Sequence, residues 1–202
     1  MKSLLRLVLL CLAPAGIALG TSPATITFDE LTPSTHGDPI PNGYAGLQWN
    51  NFFVLNAVSY VNNPSGYQNA VVSANNVAFN GFGDPSMVSA AAFDLNSAYL
   101  AAAWNDGLQV EVQGFVGATL TYDNTYTVNT TGPTLINFNY LGVDEVNFIA
   151  SGGTLHPGYT GNGTQFALDN LTLTPVPEPT LLGLVGLGAA ALMRSRSIPR
   201  RR

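Results

Sequence analysis

Between Thr21 and Pro175 the chain contains neither lysine nor arginine. Its basic residues are Lys2, Arg6, Arg194, Arg196, Arg200, Arg201 and Arg202, all near one end or the other. The same stretch carries Asp29, Glu30, Asp38, Asp84, Asp94, Asp106, Glu111, Asp123, Asp144, Glu145 and Asp169, a charge of about −11 with no fixed cation to offset it. This excludes nucleic acid as a partner, because phosphate is neutralised by Lys and Arg. It also constrains the interior. A buried carboxylate here must be met by backbone donors or by a metal ion.

Thiols and histidines are equally scarce. The single cysteine, Cys11, lies in a segment expected to be removed on export, which leaves no disulfide and no thiol chemistry in the mature chain. The two histidines, His36 and His156, sit in Gly/Pro-rich loops and outside any HExxH spacing. No G-x-S-x-G elbow is present. Asp144 and Glu145 are adjacent, and neighbouring strand residues point to opposite faces. Two of the eleven acids brought together by the fold would still make a glycosidase pair. A glycan hydrolase working through carboxylates, or through His156 as base, therefore stays open as an alternative.

What the chain does have is apolar content, at 46%, enough for a core, with only 9% charged residues. Residues 1–20, MKSLLRLVLLCLAPAGIALG, combine an early positive charge, a short apolar run and small residues before Thr21. This is the pattern of a secretory signal peptide, with Sec export as its consequence. At the other end Thr180 to Met193 is uncharged and glycine-rich. As a helix it would span about 21 Å, short of the roughly 30 Å of a bilayer core. Arg194, Arg196, Arg200, Arg201 and Arg202 follow it. They suit a cytoplasmic end, and their long stems can stretch a short span. The expectation is a brief stay in the inner membrane.

Val176-Pro177-Glu178-Pro179, the apolar segment and the arginine cluster together resemble the PEP-CTERM sorting signal of Gram-negative bacteria. The resemblance covers residues 176–202. It implies processing by a membrane-embedded exosortase and delivery to the cell surface or the extracellular matrix. Glu178 would be the acid that the exosortase reads.

Residues 21–175 show short apolar runs broken by Gly, Pro, Asn and Asp. The pattern predicts an all-β, antiparallel, jelly-roll-like sandwich. The clearest unit is Tyr99–Trp104, a turn at Asn105-Asp106-Gly107, and Leu108–Phe115, read as a hairpin. In the second strand Leu108, Val110 and Val112 alternate with Gln109, Glu111 and Gln113, one face dry and one wet. Further strands are expected at Thr25–Phe28, Phe52–Leu55, Ala70–Ser73, Val88–Phe93, Thr119–Tyr122, Thr134–Phe138, Glu145–Ala150 and Phe166–Thr174.

TITFDEL near the start and QFALDNLTLTP near the end resemble the first and last strands of jelly-roll carbohydrate-binding modules. That resemblance implies a structural Ca²⁺ held by Asp29 or Glu30 together with Asp169. Hard carboxylate oxygens suit such an ion. Aromatic rings stack on sugar faces while amides bond hydroxyls. Tyr44, Trp49, Trp104 and Asn105 are the candidate contacts, with Trp104 expected at an exposed hairpin tip. The function these features predict is an exported, surface-sorted, non-catalytic protein that binds extracellular polysaccharide. A purely structural matrix or adhesion protein is the remaining alternative.

Overall fold

The computed structural model describes residues 22–177. The signal-peptide segment, Glu178, Pro179, the expected span at Thr180 to Met193 and the arginine cluster lie outside the described residues. Among the described residues no helix is long and apolar enough to cross a membrane.

The strands in chain order are β1 (Ala24–Ile26), β2 (Asp38–Pro39), β3 (Gln48–Asn50), β4 (Phe52–Asn56), β5 (Asn76–Asn80), β6 (Ser86–Ala102), β7 (Asn105–Val116), β8 (Thr119–Val128), β9 (Thr134–Leu155) and β10 (Phe166–Pro175). One short helix, α1 (Gly66–Asn69), lies between β4 and β5. All pairings are antiparallel, in the order β2-β4-β5-β10-β6-β9-β7-β8, with β1 on β10 and β3 on β6. This is the predicted all-β sandwich, built by folding one sheet over on itself.

Two long strands make the fold possible. β6 and β9 pair along their lengths, with register shifts between Ser89 and Ser97. Bulges of this kind bend a strand and let it serve two layers. The first part of β6 lies beside β3, and its second part lies beside β10. The core between the layers is apolar and aromatic, with Phe28, Phe52, Leu95, Leu100, Val110, Phe148 and Leu171 each at 2% exposure or less. The rings meet edge to face, as in Phe52–Phe148 at 5.6 Å and 81°, the arrangement their quadrupoles favour.

Three sequence-based expectations are corrected. Val88–Phe93 and all of Tyr99–Trp104 but its last two residues are parts of the single strand β6, and Thr134–Phe138 and Glu145–Ala150 are parts of β9. The expected hairpin between Tyr99–Trp104 and Leu108–Phe115 does not form, because β9 lies between β6 and β7. Ala102 and Ala103 turn away to give their N–H groups to Asn129 and Gln165 carbonyls, so the true hairpin is β7–β8. Ala70–Ser73 is a loop, because the N–H groups of Val72 and Ser73 go to the Asp169 carboxylate instead of to a strand.

Candidate aromatic binding cleft

The outer face of the β4-β5-β10 layer is covered by the 57–75 segment, and a second small core forms there. Leu55, Val77, Ala101, Ala103 and Ala167 supply the floor, and Tyr67 of α1 and Trp104 lie on it. Trp104 is only 4% exposed. Tyr67, Tyr60 and Tyr159 surround it at ring-centroid distances of 5.6, 6.4 and 6.4 Å. Gly161 completes the enclosure: a Cβ there would stand 2.5 Å from the indole. The expected exposure of Trp104 is thus corrected. A turn that is open in sequence is closed in space by a glycine 57 residues later.

Beside this core lies a cleft of about 250 Å³. His36, Gly37, Phe53, Tyr60, Tyr67, Phe79, Gly81, Phe82, Trp104 and Gln165 line it. Gly37 has a φ of +89°, and a Cβ at that position would meet the Val54 carbonyl at 2.9 Å and Phe79 at 3.1 Å. Only glycine lets the His36 loop lie so close to the aromatic wall. Burial, more than the Tyr60 hydroxyl beside it, pushes the Tyr67 hydroxyl well up, so it stays neutral.

Two details of the cleft run against ordinary folding economy. Phe82 is 83% exposed and holds a left-handed φ of 59°. Such a conformation is unfavourable for a bulky residue. It is fixed by the Asn51 side-chain amide donating to the Gly81 carbonyl at 3.0 Å, and by the Thr164 hydroxyl donating to the Gly83 carbonyl at 3.0 Å. The ring packs edge-on against Phe53 at 5.9 Å. The Gln165 Oε1 atom is buried and has no hydrogen-bond partner. A buried acceptor left in this state is costly unless something supplies a donor.

The other predicted contacts lie elsewhere. Trp49 is 5% exposed and belongs to the main core. Its indole N–H donates to the Tyr44 carbonyl at 3.0 Å. Tyr44 packs on Phe28 and Trp49, at 6.1 Å from each. Burial first, and the Glu30 carboxylate beside it, push the Tyr44 hydroxyl upward. Asn105 starts β7 and donates to the Gly152 carbonyl at 3.1 Å. Of the four expected sugar contacts only Trp104 reaches the cleft, and it does so as part of the wall. Phe53, Phe79, Phe82 and Gln165 were not found from sequence. The one local signal was Gly81-Phe82-Gly83, since an aromatic between two glycines in a turn has no strand face to bury it.

Asp29 and Asp169 meet the two ends of one loop. Asp169 is fully buried on β10. Its Oδ2 accepts the Val72 and Ser73 N–H groups at 2.7 and 2.9 Å, and its Oδ1 accepts the Ser73 hydroxyl at 3.0 Å and the Asn170 N–H at 2.7 Å. Burial outweighs these donors and holds its pKa above the usual value. Asp29 Oδ1 accepts the Asn75 and Asn76 N–H groups at 3.0 and 3.1 Å. Burial pushes this carboxyl up, but the Asn75, Asn76, Ser73 and Thr27 donors together bring it below its usual value. Glu30 faces Tyr44 instead. Among the described residues no three His, Cys, Asp or Glu side chains gather as a metal cluster. Asp169 and Oδ1 of Asp29 take up N–H groups while Glu30 turns to Tyr44, so the three expected calcium ligands are not gathered as one donor set.

A second polar cluster fixes the far wall. Asp106 Oδ1 accepts the Thr130 hydroxyl at 2.7 Å and the Thr130 N–H at 3.0 Å, and Oδ2 meets His156 Nδ1 at 2.6 Å. The Thr130 donors, and secondarily His156, hold the Asp106 carboxyl down at about 2 against a smaller burial penalty. The imidazole lies against Tyr159 at 4.4 Å, and the His156 N–H bonds the Trp104 carbonyl. Thr130, the hydroxyl on this pair, is fully buried and directs its proton to Asp106. It is not placed to attack a substrate.

No family model matches the chain, and no curated protein matches it in sequence. Among solved structures, a DUF4465 family protein from Bacteroides caccae superposes with a TM-score of 0.53 at 11% identity, over 79% of this chain and 95% of that one. A tandem CBM22 domain from Paenibacillus barcinonensis gives a TM-score of 0.41 at 13% identity, over 83% of this chain and 49% of that one. A CBM61 module in complex with β-1,4-galactotriose gives 0.36 at 8% identity, over 67% of this chain and 95% of that one. The first likeness bears on the sandwich fold alone.

Proposed function

We propose that this chain is an exported, surface-sorted, non-catalytic protein that holds uncharged polysaccharide in the Phe82–Tyr60–Trp104 cleft. The observation that carries this reading is an exposed, strained Phe82 sharing one aromatic cleft with Tyr60, Tyr67 and Trp104. A sugar ring supplies the cover that Phe82 lacks, because its C–H face packs on an aromatic ring. The absence of Lys and Arg from residues 21–175 favours a neutral glycan over an anionic one.

Sorting follows from the terminal motif. β10 ends at Pro175, and the Val176 N–H still bonds the Ala92 carbonyl at 2.9 Å. In this reading an exosortase acts on a tail that starts where the sandwich stops, and the body is delivered to the surface or matrix. Deleting residues 176–202 should release the protein, unprocessed, to the medium.

Affinity electrophoresis through gels cast with neutral polysaccharides tests the cleft. Phe82→Ala should abolish retardation by the gel that slows the wild type. It should do so with an unchanged Tm, since the ring is exposed. Retardation of Phe82→Ala equal to wild type would place the binding elsewhere.

A further inference from the structure

The two ends of the sheet are treated differently. At one end β2 is two residues long and includes Pro39, features that keep an edge from recruiting another strand. At the other end β8 runs ten residues and, among the described residues, pairs only with β7. It contains no proline, no lysine and a single charge, Asp123. From Tyr122 to Val128 it pairs with β7 in unbroken register, the one shift falling at Thr121, and a long edge without proline or lysine is a template for strand addition.

The sequence of β8 specifies which strand. Residues 121–127 read T-Y-D-N-T-Y-T, nearly the same in both directions about Asn124. We infer that β8 pairs antiparallel with β8 of a second copy of this chain, with the twofold axis at Asn124. Directly opposed residues share a face of a sheet. Tyr122 then meets Tyr126 of the partner copy, and Asp123 meets Thr125.

The inner row is already prepared. Tyr122 stacks on Tyr140 at 4.4 Å with the rings 7° from parallel, and Tyr126 packs on Phe138 at 5.5 Å. Asn124, between them, donates to the Tyr140 hydroxyl at 2.8 Å. The aromatic row of one copy therefore continues into the row of the next. The outer row is threonine apart from Asp123, and threonine pairs hydrogen-bond across strands.

Register is fixed by the lone acid. Sliding the pair so that Tyr122 meets Asn124 would set Asp123 against itself, and like charges directly opposed are unfavourable. The acidic bodies also repel one another over distance. That repulsion is screened within about 8 Å at physiological ionic strength, so the dimer should tighten as salt is added.

Sedimentation equilibrium on the purified protein, at low and physiological salt, tests the inference. The wild type should dimerise reversibly and more tightly in salt. Thr125→Asp would set one acid against Asp123 of the other copy at each of the two symmetric contacts and should raise the dimer Kd at least tenfold. Asp123→Lys/Thr125→Asp would make both contacts Lys–Asp and should restore dimerisation. Thr125 is exposed, and matching Tm values will show that the variants fold. A wild type that stays monomeric would overturn the assignment. So would a Thr125→Asp protein that dimerises normally, or a double variant no better than Thr125→Asp.

Discussion

Ser73 and Asp169 are 96 residues apart in the chain and meet twice, through the Ser73 N–H at 2.9 Å and the Ser73 hydroxyl at 3.0 Å. This contact ties the loop before β5 to the last strand. With no Lys or Arg in the body, main-chain donors supply the counter-charge that a buried carboxylate requires.

Asp169→Ala should destabilise the protein by at least about 3 kcal/mol, because the Val72, Ser73 and Asn170 N–H groups lose their acceptor together. Asp169→Asn keeps one acceptor oxygen and should lose less. Urea unfolding followed by tryptophan emission measures both.

Calcium removal should leave the melting temperature unchanged, because the oxygens of Asp169 and Oδ1 of Asp29 already accept N–H and O–H groups. A scan with EGTA and one with added Ca²⁺ should superimpose. A rise in Tm with Ca²⁺ that Asp169→Ala removes would restore the metal to this site.

Acid should unfold the protein partly through Asp106. Its carboxyl is held at about 2 in the fold against an ordinary value of 3.8. A lowered carboxylate pKa gives stability that is present above the ordinary value and lost as pH falls through the folded one. The loss therefore falls between roughly pH 4 and 2. Asp169 has the opposite sign, since its raised pKa favours the fold at low pH. Asp106→Asn should flatten the acid limb that wild type shows in a Tm-versus-pH series.

Trp49 and Trp104, the two tryptophans of the chain, are 5% and 4% exposed. Native emission should be blue-shifted and little affected by iodide. Gly161→Ala should change this at Trp104, because the new Cβ would press on the indole. The same substitution should weaken glycan retardation by distorting the cleft wall.

Gly66→Ala tests how tightly α1 is seated. The added Cβ would collide with the Ala102 carbonyl, and the Gly66 N–H bonds the Ala103 carbonyl at 2.8 Å. Since backbone atoms must move, the loss should be about 3 kcal/mol.

The order of residues along the chain was enough to settle what is local. Alternation in Leu108–Gln113 marks a strand with one dry face, because side chains in a strand point to opposite sides in turn. The missing cations set how buried acids are handled, because a carboxylate cannot be buried without donors or an ion. Neighbour choice was not legible there. Strand β9 separates β6 from β7 because its residues 134–155 bond to both, and no feature of Asn105-Asp106-Gly107 announces that. The same holds for exposure. Trp104 follows a strand and precedes a turn, yet Gly161, Tyr60 and Tyr159 bury it, while Phe82 is held outward by Asn51 and Thr164. Burial depends on groups that arrive from distant parts of the chain. Only the folded molecule brings them together and decides which aromatic rings meet solvent.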